Sequence, residues 1–340
     1  MTSQRVRTVL PAAVLSGSWF VTTPTLAWVF AATAPGPAVP TWAGLLTLAA
    51  LAVDTAALLW WLGPAPIAAV PAVARTRRTA FTVAVVVALL LLVPLGFVGQ
   101  AVLGVLAVAA AAVLVRLRQP LDRRELRSAI VLGAIAAVGA LVGWAATRIP
   151  NDLVWAGVQL ALVALTLLAG WRAAHHAGWA PADLGAVRLL VDGARPALRS
   201  ALSGMVLALP WALGNLVFGQ YLEDRIVEPW QPLVALAPGV AEESWARAFV
   251  IPVLFLAFRS VATAPAALRV AALIATYWFA FLHTPTNPVS VVIVGSLWVL
   301  PMTYLWLRRD LETAIGFHFC IDAVRFLAAY LFLHGAWLGG

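Results

Sequence analysis

The stretch PLVALAPGVAEESWARAFVIPVLFLAF, Pro232–Phe258, is apolar throughout except at Glu242, Glu243, Ser244 and Arg247. Its length and composition suit a membrane-spanning helix. At bilayer depth each charge costs about 2.5–3.5 kcal/mol on insertion scales, so such residues are seldom there without a task. Helical geometry sorts them. Glu243 and Arg247 stand four apart, share a face and can pair. Glu242 is rotated about 100° from Glu243 and is free to point at a neighbouring helix. Alone, the stretch also reads as a buried ion pair that fixes helix packing.

The remainder of the chain has the same character. Of its 340 residues, 63% are hydrophobic and 11% charged, against about 25% charged in an average soluble domain. Apolar runs alternate with short arginine-bearing loops. The expectation is an all-α, polytopic helical membrane protein with about 10–11 transmembrane helices. The net charge of +8 comes from arginine, for the chain has no lysine. Arginines in the loops read as topology signals and headgroup contacts, with the lipid bilayer as partner and no nucleic acid. The single Cys320 excludes an internal disulfide and a thiolate metal cage. The Ala-, Val-, Gly- and Arg-rich composition suggests GC-biased coding and a bacterial plasma membrane.

Three regions are expected. Residues 1–179 hold spans without motif residues: Val9–Ala32 (too long for a signal-peptide core, so read as retained), Trp42–Leu62 with Asp54 in a packing role, a hairpin over Thr79–Val115 broken at Pro94-Leu95-Gly96, Ala129–Thr147, and Leu153–Trp171. His175 and His176 are read as interfacial. Residues 180–200, with acids and arginines at helical spacing, are expected to form an amphipathic surface helix. Residues 201–340 hold the remaining spans: Ala201–Phe218, the motif stretch, Val270–His283, Val289–Leu307 and Leu311–Leu333.

Two of those last spans carry histidines. His283 ends one, and His318 lies two turns into another with Asp322 four residues on, so that pair shares a face. A glutamate with two imidazoles is a donor set for metal-assisted hydrolysis, with a position left for water. It equally suits a metal-free route, in which a Glu–His pair deprotonates water and the second His with Asp322 stabilises an oxyanion.

The order Glu242-Glu243-x-x-x-Arg247, Phe279-x-x-x-His283, His318-x-x-x-Asp322 resembles the three motifs of the CPBP family, which comprises type II CAAX prenyl endopeptidases and bacterial Abi proteins. The resemblance covers about Ala201–Leu333. It implies an intramembrane endopeptidase, a metalloprotease by one route, acting on a membrane-associated peptide or protein. Glu242 would be the essential glutamate, and His283 would help it activate water. His318 and Asp322 would bind metal or form the oxyanion site, with Glu243, Arg247 and Phe279 supporting. A Zn2+ or other divalent ion would sit on Glu242, His283 and His318. Two positions depart from the pattern: Asp322 stands where the prenyl endopeptidases have Asn, and Ala248 where many members have Gly. An ionised Asp donates no hydrogen bond, which favours a ligand or His-orienting role for Asp322.

Other intramembrane hydrolases find no support. The chain has no His-Glu-x-x-His, no lysine for a Ser–Lys dyad, no Gly-x-Ser-Gly rhomboid signature and no Gly-x-Gly-Asp. A non-catalytic scaffold that keeps the motif, and a proton-coupled transporter, remain the alternatives.

Overall fold

The computed structural model describes residues 41–62, 100–117, 122–147, 150–178, 186–218, 226, 228–259, 262–284 and 287–334. Among these the chain is all-α, and the one β-like contact is an isolated bridge between Ala186 and Asp310. The expected first span and the first leg of the Thr79–Val115 hairpin lie outside the described residues.

The helices are α1 (Thr41–Leu62), α2 (Gln100–Arg116), α3 (Arg123–Thr147), α4 (Pro150–His176), the four-residue α5 (Arg188–Val191) and α6 (Ala194–Val217). A 3₁₀ turn (Gln231–Ala235) then leads into α7 (Leu236–Glu243), a π-helical segment (Ser244–Val250) and α8 (Ile251–Phe258). After α9 (Ala264–His283) the pattern recurs: α10 (Pro288–Val294), a second π segment (Gly295–Val299) and α11 (Leu300–Arg308). The last helix is α12 (Leu311–Leu333). Seven stretches among the described residues are long and apolar enough to cross a membrane: Trp42–Leu62, Arg123–Gly143, Leu153–His176, Ala194–Val217, Ala264–His283, Pro288–Arg308 and Leu311–Phe332. With them runs the motif stretch, continuous from 236 to 258 and charged only at Glu242, Glu243 and Arg247. Large apolar residues such as Val154, Val206 and Val289 stand exposed, as lipid-facing positions do. The chain is a multi-pass membrane protein.

Both π segments have the same chemical origin. Pro252 and Pro301 follow them closely. A proline offers no N–H to the preceding turn, and its ring crowds the carbonyl four residues back. Widening the turn relieves that clash without breaking the helix. The two carbonyls concerned are those of Ala248 and Leu297.

The segment expected as one surface helix over 180–200 is divided. Only Arg188–Val191 form the short α5; Gly193, at φ +89°, breaks the chain, and Ala194–Ser200 are the first turns of α6. A left-handed glycine stops a helix, which the spacing of charged residues could not reveal.

The start of α12 is held by a polar knot. Asp310 caps it, accepting hydrogen bonds from the backbone N–H of Thr313 at 2.7 Å and from its hydroxyl at 2.6 Å. Its other oxygen accepts from Arg188 Nε at 3.1 Å and Ser200 Oγ at 2.9 Å. Glu312 accepts from the backbone N–H groups of Arg188 and Leu189 at 2.9 and 2.7 Å, supplying the cap that α5 otherwise lacks. Below the knot α12 lies against α6 at backbone contact. A Cβ on Gly204 would come within 2.1 Å of the Thr313 carbonyl oxygen, and one on Gly316 within 1.9 Å of that of Ala201. Small residues permit this approach. His318 is thereby placed two residues below a fixed crossing.

Candidate active site

The three motif helices bring their polar residues to one place. Glu243 is fully buried and its Oε1 is shared: Arg247 Nη1 donates to it at 2.9 Å, and His318 Nδ1 lies 2.8 Å away. The pairing expected from the four-residue spacing is therefore present, and it also reaches α12. Glu242 points elsewhere, as its rotation required. Its Oε2 stands 3.6 Å from His283 Nε2 and 3.8 Å from His318 Nε2. Asp322 Oδ2 lies 3.5 Å from the same His318 Nε2.

The other ring nitrogens are committed. His283 Nδ1 lies 3.0 Å from the Phe279 carbonyl oxygen, which can only accept. His318 Nδ1 meets a carboxylate, which when ionised also only accepts. Both rings therefore carry hydrogen on Nδ1 and turn Nε2 toward Glu242. An imidazole held at Nδ1 by a carbonyl or carboxylate is oriented for work at Nε2. The residue that orients His318 in this way is Glu243. Asp322 faces Nε2 of that ring instead, the nitrogen that also faces Glu242.

Phe279 is the platform between these parts. Its ring lies 4.5 Å from that of His283 and 6.2 Å, edge to face, from that of His318. The Arg247 guanidinium carbon stands 4.5 Å above it, a cation–π arrangement. Trp245 closes the far side at 5.4 Å. Glu242 Oε2, Glu243 Oε2 and Arg247 Nη2 make no hydrogen bond among the described residues.

Three lone-pair donors, Glu242 Oε2 and two Nε2 atoms, face one small volume. In type they suit zinc. Ligands about 2.0–2.2 Å from a tetrahedral ion are separated by roughly 3.3–3.6 Å, a spacing that the 3.6 Å to His283 meets and the 3.8 Å to His318 slightly exceeds. Among the described residues no group of three or more His, Cys, Asp or Glu is placed to hold a metal ion.

Asp54 and the His175–His176 pair are not drawn in. Asp54 is buried in α1. His175 Nε2 lies 3.7 Å from Glu125, whose buried carboxylate is bonded to Arg172 at 2.9 Å, so this end of α4 is tied to α3. What the sequence reading missed is the contribution of the amino-terminal helices. A pocket of about 400 Å³ is walled by Ala140 and Gly143 of α3, Trp155 and Gln159 of α4, and Glu242 and Trp245. Gln159, a lone amide in an apolar span, was the available signal.

Residues 228–324, less than a third of the chain but spanning every motif residue, match the family described as type II CAAX prenyl endopeptidase Rce1-like. This is narrower than the Ala201–Leu333 expected, and it leaves α6 outside. Among curated proteins and among solved structures, none matches significantly. The match falls on motifs whose side chains converge in space, and it supports a CPBP/CAAX-protease assignment for residues 228–324.

Proposed function

We propose that the protein is an intramembrane endopeptidase of the CPBP type that hydrolyses a peptide bond of a membrane-associated peptide or protein, with Glu242, His283, His318 and Asp322 as its reacting groups. The observation that carries this reading is the convergence of two Nε2 atoms, each fixed through its Nδ1, on the Oε2 of Glu242, which makes no hydrogen bond among the described residues.

The chemistry follows from the donor set. A water between Oε2 and the imidazoles gives its proton to Glu242 as its oxygen adds to the scissile carbonyl carbon. The tetrahedral intermediate then expels the amine, which takes that proton back from Glu242, so the carboxylate is regenerated. His283, the more exposed imidazole, lies where water and leaving amine pass, and it aligns both. His318 is held rigidly by Glu243, which is itself neutralised by Arg247; this chain of contacts fixes the far wall. Asp322 favours positive character on His318 as negative charge develops on the carbonyl oxygen. Glu242, His283 and His318 are also the residues that would hold Zn2+ or another divalent ion; such an ion would polarise the carbonyl and acidify the water. The seat of action we propose is a bacterial plasma membrane.

The test is cleavage of a membrane-peptide library by the full chain in liposomes, comparing wild type with Glu242→Ala. Removing a general base costs roughly 10²–10⁴-fold, so cleavage should fall to background while the variant stays folded. A chelator, then zinc, reads the second question: loss followed by recovery assigns the ion, and indifference assigns the proton route. Equal inertness of both folded proteins would overturn the reading in favour of a scaffold.

A further inference from the structure

We propose that the pocket between α3, α4 and α7 is the substrate subsite flanking Glu242, that it receives an apolar side chain of an extended peptide, and that Gln159 positions the peptide by hydrogen bonding to its backbone. The inference rests on the protease reading above, and it places part of the specificity outside the segment that matches the family.

Three observations carry it. The first is adjacency. The pocket, about 400 Å³, has Glu242 in its wall but neither histidine. It therefore flanks the reacting carboxylate and is not the water site itself. The second is its lining. Trp155, Trp245 and Ala140 make it apolar and of the size in which small ligands are held. The third is Gln159. This residue is 7% exposed, and its Oε1 has no hydrogen-bond partner among the described residues. Leaving a buried amide oxygen unmatched is unfavourable, and leucine would fill the same space without that cost. A carboxamide both donates and accepts, whichever way its ends are assigned. The matching ligand is a peptide group, which offers one N–H and one C=O. An acyl chain would suit the indoles but would leave Gln159 as it is, which is why a peptide is the occupant inferred here.

The test uses the full chain in lipid nanodiscs, in a Glu242→Ala background so that nothing turns over. The probe is a 20-residue Leu/Ala peptide with a diazirine-bearing leucine at successive positions, irradiated and mapped by mass spectrometry. The expected result is labelling within 140–143 and 155–159 from one narrow window of the peptide. Gln159→Leu should lower that labelling roughly 5- to 10-fold, the loss of one buried hydrogen bond, while folding at least as well as its parent. Gln159→Asn should recover part of the labelling. Labelling elsewhere, or labelling indifferent to Gln159, overturns the proposal. So does equal labelling of the pocket by a phospholipid with a diazirine in its acyl chain that the peptide fails to displace.

With wild-type residue 242 and a cleaved substrate, Gln159→Leu should raise KM more than it lowers kcat and should blur the preference for one apolar side chain. Unchanged kinetics beside an inactive Glu242→Ala would sink the subsite and leave the protease standing. Gln159-dependent labelling by a chain that cleaves nothing would do the reverse.

Discussion

The two π-helical segments invite comparison. Each interrupts an apolar span, and each precedes a proline, at Pro252 and Pro301. In the second, the carbonyl of Leu297 that Pro301 cannot serve accepts the indole N–H of Trp211 at 2.6 Å, with the Thr55 hydroxyl at 3.5 Å. The defect is closed by neutral groups. In the first, the Ala248 carbonyl lies directly against Gly170, whose Cβ, had it one, would come within 1.8 Å of that oxygen. The turn widened there carries Arg247, and Glu242 and Glu243 immediately precede it. A π segment is therefore no mark of a site by itself. What distinguishes the first is that it and the residues just before it direct charges inward, Arg247 to Phe279 and Glu243 to His318, whereas the second directs neutral groups alone, such as the Leu297 carbonyl and the Ser296 hydroxyl that meets Tyr277 at 2.9 Å.

The largest expected effect breaks the charged side of that comparison. Arg247→Met leaves Glu243, fully buried, without its cation. Removing one member of a buried pair costs roughly 3–5 kcal/mol, so unfolding in mixed micelles should shift strongly and cleavage should vanish. The double variant Glu243→Met with Arg247→Met should recover most of the stability, since no lone charge remains. It should not recover cleavage, because His318 loses the carboxylate that orients it. Recovery of both would show that the pair only fills space.

Gly170→Ala probes the closure of the first segment. Its methyl meets a backbone oxygen, not a flexible side chain, so α4 must move from the π turn. Overpacking of this kind costs about 1–3 kcal/mol. Because α4 also carries Gln159, cleavage should weaken along with stability. A stable variant with full activity would show that α4 and the motif helix are not rigidly coupled.

The sequence disclosed the charged side of this contrast and little of the rest. Glu243 with Arg247, and His318 with Asp322, are four-residue relations that any helix enforces, so the pairs could be read before the fold was known. The convergence of Glu242 on both histidines depends on three helices meeting, and only the resemblance to a known family joined them in advance. The role of Glu243 as the partner of His318 Nδ1 was hidden, because the residues stand 75 positions apart. Gln159 and the wall formed by α3 and α4 were hidden for the same reason: a polar residue in an apolar span announces a partner without naming it. The division of 180–200 at Gly193 escaped because charge periodicity continues across a break that only a positive φ reveals.

The smallest effect tests whether the neutral segment is as independent of the site as its chemistry implies. Trp211→Phe keeps an aromatic ring against Phe317, where the two rings now lie 5.1 Å apart, and removes only the N–H that serves Leu297. The Thr55 hydroxyl remains at 3.5 Å as a weaker partner. The carbonyl is then under-served but not abandoned, and the cost should be about 1 kcal/mol, the net worth of one ordinary hydrogen bond. Unfolding in mixed micelles should register that shift, while kcat and KM stay at wild-type values. Phe317 precedes His318 on α12, so a ring that settled differently would reach the site through that neighbour. A change in kcat at unchanged stability would therefore mean that the second π segment tunes the imidazole after all, and the division between a charged, working turn and a neutral, structural one would have to be given up.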